Sequence, residues 1–165
     1  MSSGVAVDPA CNEMWEDFHL GKVNKRRVIT FRINDEFNSI IPDTDKWQLP
    51  LTKSGEDGIE ETKEIIQQVK QLIADELGDD NVPNLPRWFI MYFDYKMESD
   101  GRLTGKELMV KWCPEQSKVK SKMTFASSAK GLNDSLNGFN SLVVQIDELE
   151  GIDDLLPKFQ KGLLK

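Results

Sequence analysis

The sequence predicts a mixed α/β (α+β) fold in which a central, mixed sheet of five to six strands is sandwiched between helices. Three patterns lead to this expectation. Apolar residues recur at helical spacing over 59–77, they alternate over 28–33, and they run without interruption from Trp88 to Phe93, as in a central strand buried on both faces. The elements follow one another without an internal repeat, so we expect a single domain over residues 1–165.

The first third of the chain predicts one helix, two strands and a loop. Asp8 followed by Pro9 is typical of a helix start, and the apolar stripe that follows ends near Gly21. That stripe consists of Cys11, Met14, Trp15 and Phe18. Strands are predicted over 28–33 and 39–41. The stretch 42–58 is rich in Pro, Asp, Thr, Lys and Gly, which predicts a long surface loop.

The rest of the chain predicts a helix over 59–77 and then a hairpin, whose strands span 88–93 and 108–112 around a turn at 99–105.

Two separate helices are expected next, over 118–125 and 128–136, the second capped by Ser127 or Ser128. A strand over 142–146 and a short helix over 153–161 complete the prediction.

Composition indicates a globular, water-soluble protein. Hydrophobic residues make up 39% of the 165 residues and charged residues 30%, values that fit neither a disordered chain nor a membrane protein. Cys11 and Cys113 are far apart in sequence, and the first residues lack the pattern of a signal peptide. A cytoplasmic protein is therefore expected.

Charge makes nucleic acid an unexpected partner. The chain carries 21 basic and 28 acidic side chains, a net charge of −7, which repels polyanions. An acidic partner would need a local basic patch, and two candidates exist, either of which could instead be an ordinary solvated face. One consists of Lys118, Lys120 and Lys122, and the other of Lys25, Arg26 and Arg27.

No motif indicates an enzyme, a metal or a cofactor. His19 is the only histidine, no G-x-S-x-G sequence accompanies it, and neither phosphate-loop motif occurs. The run from Lys96 to Glu107 places carboxylates at some calcium-loop positions, but a lysine stands at the first ligand position. A small enzyme would need a polar cleft that the sequence does not indicate.

Residues Trp112 to Leu132, WCPEQSKVKSKMTFASSAKGL, closely resemble the signature of the ADF/cofilin family. In that signature a strand ending in W-x-P leads to a helix with K-S-K-M, followed by Y-A-S-S. The segment from Ser3 to Val7 resembles the family's N-terminus, and Arg87 to Ile90 resembles its central strand. The resemblance therefore extends over nearly the whole chain.

This resemblance implies an actin-binding cytoskeletal protein that binds actin monomers and filaments and promotes filament severing and depolymerisation. It implies a monomer-binding role for Ser3, Gly4, Val5, Lys120, Lys122 and Met123, to which Lys118 is added because it would share a helical face with Lys122. Met123 could alternatively be a core residue. Filament binding is implied for Lys106, Lys158 and Lys161, and phosphorylation for Ser3.

Departures from the family pattern leave a second hypothesis open. Thr104 stands where a second cation of the filament-binding hairpin is expected, and Pro157 replaces an acidic residue in the last helix. A monomer-sequestering or filament-coating module with weak or no severing is therefore the alternative. Gly131, Asn133 and Asp134 replace basic positions, which argues against phosphoinositide binding. We expect a monomeric protein.

Overall fold

A computed structural model of the chain describes residues 4–21 and 25–164. The strands are β1 (Ala6–Val7), β2 (Arg26–Ile33), β3 (Ser39–Pro42), β4 (Leu49–Pro50), β5 (Arg87–Lys96), β6 (Leu103–Trp112) and β7 (Leu142–Ile146). The helices are α1 (Pro9–Leu20), α2 (Gly58–Glu76), α3 (Val119–Ser135), α4 (Leu149–Asp153) and α5 (Leu155–Gln160).

Within the described ranges the strands form one mixed sheet in the spatial order β1-β3-β2-β5-β6-β7, with β4 paired to β2. The strands β2, β5 and β6 are antiparallel neighbours, whereas β1 is parallel to β3 and β7 is parallel to β6. The hairpin of β5 and β6 pairs from Arg87 with Trp112 to Lys96 with Leu103. The predicted hairpin is thus confirmed, and its strands are longer than the sequence indicated.

Helices cover both faces of the sheet, as predicted. On one face α2, α4 and α5 bury a core that includes Phe89, Met91 and Phe93 of β5. On the other face α1 and α3 pack against Trp88 and Ile90 of the same strand. Strand β5 is therefore buried on both sides, which explains its uninterrupted apolar sequence.

The start of α1 is also confirmed. The Asp8 carboxylate accepts a hydrogen bond from the Ala10 amide at 2.9 Å, and Gly21 ends the helix with a φ of 62°.

The prediction of a loop over 42–58 was wrong in part, because this segment contributes β4 and two short 3-10 turns. Its residues Trp47 and Leu49 are buried in the core. The Gln48 side chain replaces a strand neighbour: its amide oxygen accepts from the Thr30 amide at 2.7 Å, and its nitrogen donates to the Thr30 carbonyl at 3.0 Å. A side chain thus satisfies the backbone of β2.

The prediction of two helices over 118–136 was wrong, because α3 is continuous. The hydroxyls of Ser127 and Ser128 donate to the Thr124 carbonyl within the helix and do not cap a new one.

The helix predicted over 153–161 corresponds to α5, and the short helix α4 that precedes it was not predicted. Pro157 is the third residue of α5, where a missing N–H does no harm.

Arg27 does not belong to a basic surface patch, which corrects the second cluster proposed from the sequence. Its side chain is fully buried, and it donates to Glu61 and Asp94, each at 2.8 Å, and to two backbone carbonyls. Helix α2 begins with Gly58 beside this network, because a Cβ there would overlap the Asp94 carboxylate and the Arg27 guanidinium. The network therefore joins α2 to β2 and β5.

A second buried arginine anchors the other end of α2. Arg87 donates to Asp43 at 2.6 Å and to Glu76 at 2.9 Å, and its guanidinium lies 4.7 Å from the centre of the Trp47 ring. The two networks fix α2 at both ends.

Replacing Glu61 with glutamine tests the first network. Burial raises the pKa of the Glu61 carboxyl, but hydrogen bonds from Thr52, Arg27 and the Lys53 amide outweigh it and lower the pKa to about 2. Because the folded pKa lies below the ordinary 4.5, the carboxylate stabilises the fold above about pH 4.5 and this stabilisation is lost as the pH falls toward 2. We expect Glu61→Gln to lose about 3 kcal/mol at pH 7 by urea unfolding.

The free energy of unfolding that Glu61→Gln loses should become smaller as the pH falls from 4.5 to 3. Glu64→Gln, an exposed position on the same helix, is the matched control and should change stability little. A Glu61→Gln loss of the same size at pH 7 and pH 3 would contradict this account.

Candidate functional site

The start of α3 carries the cations singled out from the sequence. Lys118 lies at the N-cap position in an extended conformation, and its carbonyl accepts the Lys122 amide at 3.0 Å. No acidic residue lies in the first turn of the helix. The positive end of the helix dipole therefore coincides with positive side chains.

Two large apolar side chains project into solvent between these lysines. Met123 is 67% exposed and Val119 is 73% exposed. Since they are four residues apart on one helix, they lie on the same face. The alternative in which Met123 is a core residue is therefore wrong. Val119 was missed by the sequence reasoning, although its spacing from Met123 was a signal that could have found it.

The opposite side of α3 is held on the sheet. The Phe125 ring stacks on Trp88 with 4.1 Å between ring centres, and both side chains are buried. The Ser121 hydroxyl donates to the Pro83 carbonyl at 3.1 Å, which fixes the first turn of the helix. These contacts orient the face that carries Val119 and Met123 toward solvent.

The lysines of α3 are available to a partner. Lys118 and Lys120 are exposed, Lys122 is half-buried, and none of them forms an ion pair with a carboxylate of the described residues. The Lys120 ammonium lies 4.4 Å from the centre of the Phe37 ring. Unpaired cations around an exposed apolar pair complement an acidic protein surface that has an apolar cleft.

The N-terminal segment lies beside this helix. Strand β1 packs against α3 and pairs with β3, and the Ala6 amide donates to the Asn38 carbonyl at 3.0 Å. Gly4 and Val5, which directly precede β1, are thereby brought toward α3. Ser3 lies outside the described residues.

We call the group formed by Gly4, Val5, Lys118, Val119, Lys120, Lys122 and Met123 the α3 surface. Apart from Ser3, it unites every residue for which the sequence implied a monomer-binding role.

The residues for which the sequence implied filament binding belong to a second region, which we call the hairpin–α5 surface. It consists of Lys106, Lys158 and Lys161, together with Thr104, where the family pattern has a further cation. Lys106 is half-buried within β6, Lys158 is exposed in α5, and Lys161 directly follows that helix. The Glu98 amide, beyond β5, donates to the Gln160 carbonyl at 2.9 Å and so joins the hairpin to α5. Because α5 covers the face opposite to α3, the two surfaces lie in different layers.

Among the described residues, His, Cys, Asp and Glu side chains do not gather in a group of three or more that could hold a metal ion. His19 instead contacts Glu107 at 3.0 Å and stacks on Trp15. The described helices include none with the length and apolar character needed to cross a membrane.

The α3 surface has the features of a protein-binding surface, with exposed apolar side chains among unpaired cations. The chain belongs to the ADF/cofilin family: the model described as cofilin/tropomyosin-type actin-binding protein matches residues 4–156. This is a family of actin-binding proteins and not of enzymes. The resemblance and the fold class predicted from the sequence are confirmed.

Similar proteins extend over almost the whole chain. Cofilin-1A of Dictyostelium discoideum is 29% identical over 153 residues, which are 93% of this chain and 88% of that protein. The cofilin of Mycosarcoma maydis is 27% identical over 167 residues, 98% of this chain and 99% of its own. The solution structure of the ADF-like protein UNC-60A of Caenorhabditis elegans has the same fold, with a TM-score of 0.74 at 24% identity and 96% coverage of both chains.

Polar substitutions test whether Val119 and Met123 are surface residues. We expect Val119→Ser and Met123→Ser each to change the free energy of unfolding by less than about 0.5 kcal/mol, because both side chains are already in water. Phe125→Ala on the buried side of the same helix is the control and should lose about 3 kcal/mol or more. Urea unfolding measures all three variants. A loss near that of Phe125→Ala at position 119 or 123 would show that the side chain is part of the core.

Proposed function

We propose that this protein binds actin monomers and actin filaments in the cytoplasm and promotes filament severing and depolymerisation. The observation that carries the proposal is the α3 surface, where exposed Val119 and Met123 lie among three lysines that form no ion pair within the described part of the chain. Membership of an actin-binding family supports the choice of actin as the partner.

Monomer binding would use the α3 surface. Actin is acidic, so Lys118, Lys120 and Lys122 would meet carboxylates while Met123 enters an apolar cleft. Ser3, Gly4 and Val5 would add the N-terminal contact.

Filament binding would add the hairpin–α5 surface. Severing requires a contact with a neighbouring actin subunit, and Lys106, Lys158 and Lys161 would supply it from the other layer of the domain. Because residue 104 is a threonine, this surface has one cation fewer than the family pattern. We therefore propose that the protein binds monomers well and severs filaments less efficiently than a relative with the complete pattern.

Direct observation of labelled filaments under the microscope tests the main proposal. Breaks that increase with protein concentration support severing. Filament loss without breaks would favour the alternative function, monomer sequestration, and stable coated filaments would favour side binding.

We further propose that the protein is a monomer and that phosphoinositides are not among its ligands. Gly131 and Asp134 leave the second half of α3 with little positive charge, since Lys130 is paired with Asp134 at 2.7 Å. Size-exclusion chromatography with light scattering tests the first statement, and sedimentation with phosphoinositide vesicles tests the second.

Replacing both Lys120 and Lys122 with alanine should abolish measurable binding to monomers and filaments. Each cation that faces the partner contributes about 2 kcal/mol or more to the free energy of binding, and this contribution is lost in the variant. Stability should change little, because these lysines make no ion pair with the described residues and oppose the helix dipole, which offsets loss of the Lys120 contact with the Phe37 ring. Cosedimentation and monomer titration measure binding.

Lys130→Ala is the matched control, because Lys130 is exposed on the same helix and faces Asp134. It should bind actin like the parent protein. Unchanged binding by the double variant would contradict the assignment of the α3 surface.

Thr104→Arg should raise the severing rate at low salt and leave monomer affinity unchanged. One exposed interfacial ion pair contributes on the order of 1 kcal/mol and is screened within about 8 Å at physiological ionic strength. The microscope assay at two salt concentrations measures the rate. Asn81→Arg, which adds the same charge in the exposed loop before β5, should sever like the parent. If Thr104→Arg severs no faster, the missing cation does not limit this protein.

Phosphorylation of Ser3 would switch off actin binding, because it adds nearly two negative charges where an acidic partner approaches. Ser3→Asp should therefore weaken monomer binding several-fold, while Ser3→Ala should bind like the parent. Equal affinities of the Asp and Ala variants would remove the basis for this switch.

A further inference from the structure

We propose that Phe37 is a positioning residue that holds the Lys120 side chain in place for the partner and joins it to the N-terminal segment. The proposal rests on the proposed function, because Lys120 matters only if the α3 surface binds actin. Phe37 lies in the turn between β2 and β3, and it is not among the residues for which the sequence implied a binding role.

The backbone of this turn holds an aromatic residue in a conformation that few residues other than glycine adopt. Phe37 has a φ of 60°, in the left-handed region, and among the described residues no other non-glycine residue has a positive φ. A bulky residue in this conformation is retained only where the surroundings enforce it.

The Asn34 side chain enforces the turn. Its oxygen accepts from the Asn38 amide at 3.0 Å and from the Ser39 amide at 3.1 Å, and its nitrogen donates to the Asn38 side chain at 2.7 Å. The Phe37 amide donates to the Asn34 carbonyl at 3.1 Å. The direction in which the Phe37 ring leaves the turn is therefore fixed by four hydrogen bonds.

One part of the Phe37 ring is buried, and another part contacts the Lys120 side chain. Phe37 is half-buried against the core beneath α1 and α3, and the Lys120 ammonium lies 4.4 Å from its centre. This distance is well within the range of a cation–π contact. Since no carboxylate of the described residues pairs with Lys120, the ring is the contact that restricts this long side chain.

The same turn also holds the N-terminal segment. The Asn38 carbonyl, one residue after Phe37, accepts the Ala6 amide, and Ala6 pairs in register with Ser39. The turn thus contacts both parts of the α3 surface. A lysine that is already ordered loses less side-chain entropy on binding, which raises the affinity for the partner.

The closing experiment is a double-mutant cycle measured by actin monomer titration. Phe37→Leu should weaken monomer binding about 5-fold, whereas Phe37→Tyr, which keeps the aromatic face, should bind like the parent. In a Lys120→Ala background, Phe37→Leu should have no further effect. A Phe37→Leu variant that binds like the parent, or that weakens binding equally without Lys120, would overturn the proposal.

A measurement on the free protein separates this proposal from the proposed function. In the parent and in Phe37→Tyr, the ε-methylene protons of Lys120 should show an upfield NMR ring-current shift, which Phe37→Leu abolishes while the remaining spectrum stays dispersed. Absence of the shift in the parent would overturn the proposal even if Phe37→Leu failed to fold. Failure of the parent to bind actin would instead refute the proposed function and leave the Phe37–Lys120 contact standing.

Discussion

The stack of Phe125 on Trp88 determines where the lysines of α3 lie, because this helix has little stability of its own. Within residues 4–21 and 25–164, no side chain caps its N-terminus, and Gly131 lies within its second half. Several of its hydroxyls, including those of Thr124 and Ser128, donate back to carbonyls of the preceding turn. Such a helix depends on tertiary packing. Its buried aromatic anchor therefore fixes both its existence and the direction in which Val119 and Met123 project.

The covered sheet explains how one small domain can present two separate surfaces. Because β5 is buried on both sides, helices lie on both faces, and most of the candidate binding residues are carried by the outer sides of those helices. The α3 surface lies in one layer and Lys158 in the other. A partner with two subunits could contact both regions at once, and loss of cations from one region leaves the other geometrically unchanged.

The regular elements were predictable and the long-range polar contacts were not. Helix α2 and the strands β2, β5, β6 and β7 follow from periodicity, since the spacing of their apolar residues is visible within each segment of the sequence. The buried state of Arg27 was missed because its partners Glu61 and Asp94 lie 34 and 67 residues away. Strand β4 was missed because it has only two residues, too few for a periodic pattern. The side chain of Gln48, which precedes it, pairs with Thr30 in a contact that no spacing rule encodes.

Most residues of the α3 surface were predictable from the sequence, whereas Phe37 was not. A motif located Lys120, Lys122 and Met123, and the helical spacing would have added Val119. The motif could not reveal Phe37, because the ring reaches Lys120 only through the turn that Asn34 closes. Contacts between a turn and a distant helix are set by the tertiary fold, so they are found only when the fold is known.

The lysines at the start of α3 do not stabilise the helix that carries them. Cations near a helix N-terminus oppose the dipole at a cost of about 0.3–1 kcal/mol each, and the first turn of α3 has no carboxylate to offset it. Both the lysines and the backbone N–H groups of the first turn of α3 attract anionic groups. An acidic surface docked here would relieve the unfavourable charge distribution at this end of α3. In a protein with a net charge of −7, the start of α3 is thus a place where cations are grouped without an acidic residue in the same helical turn.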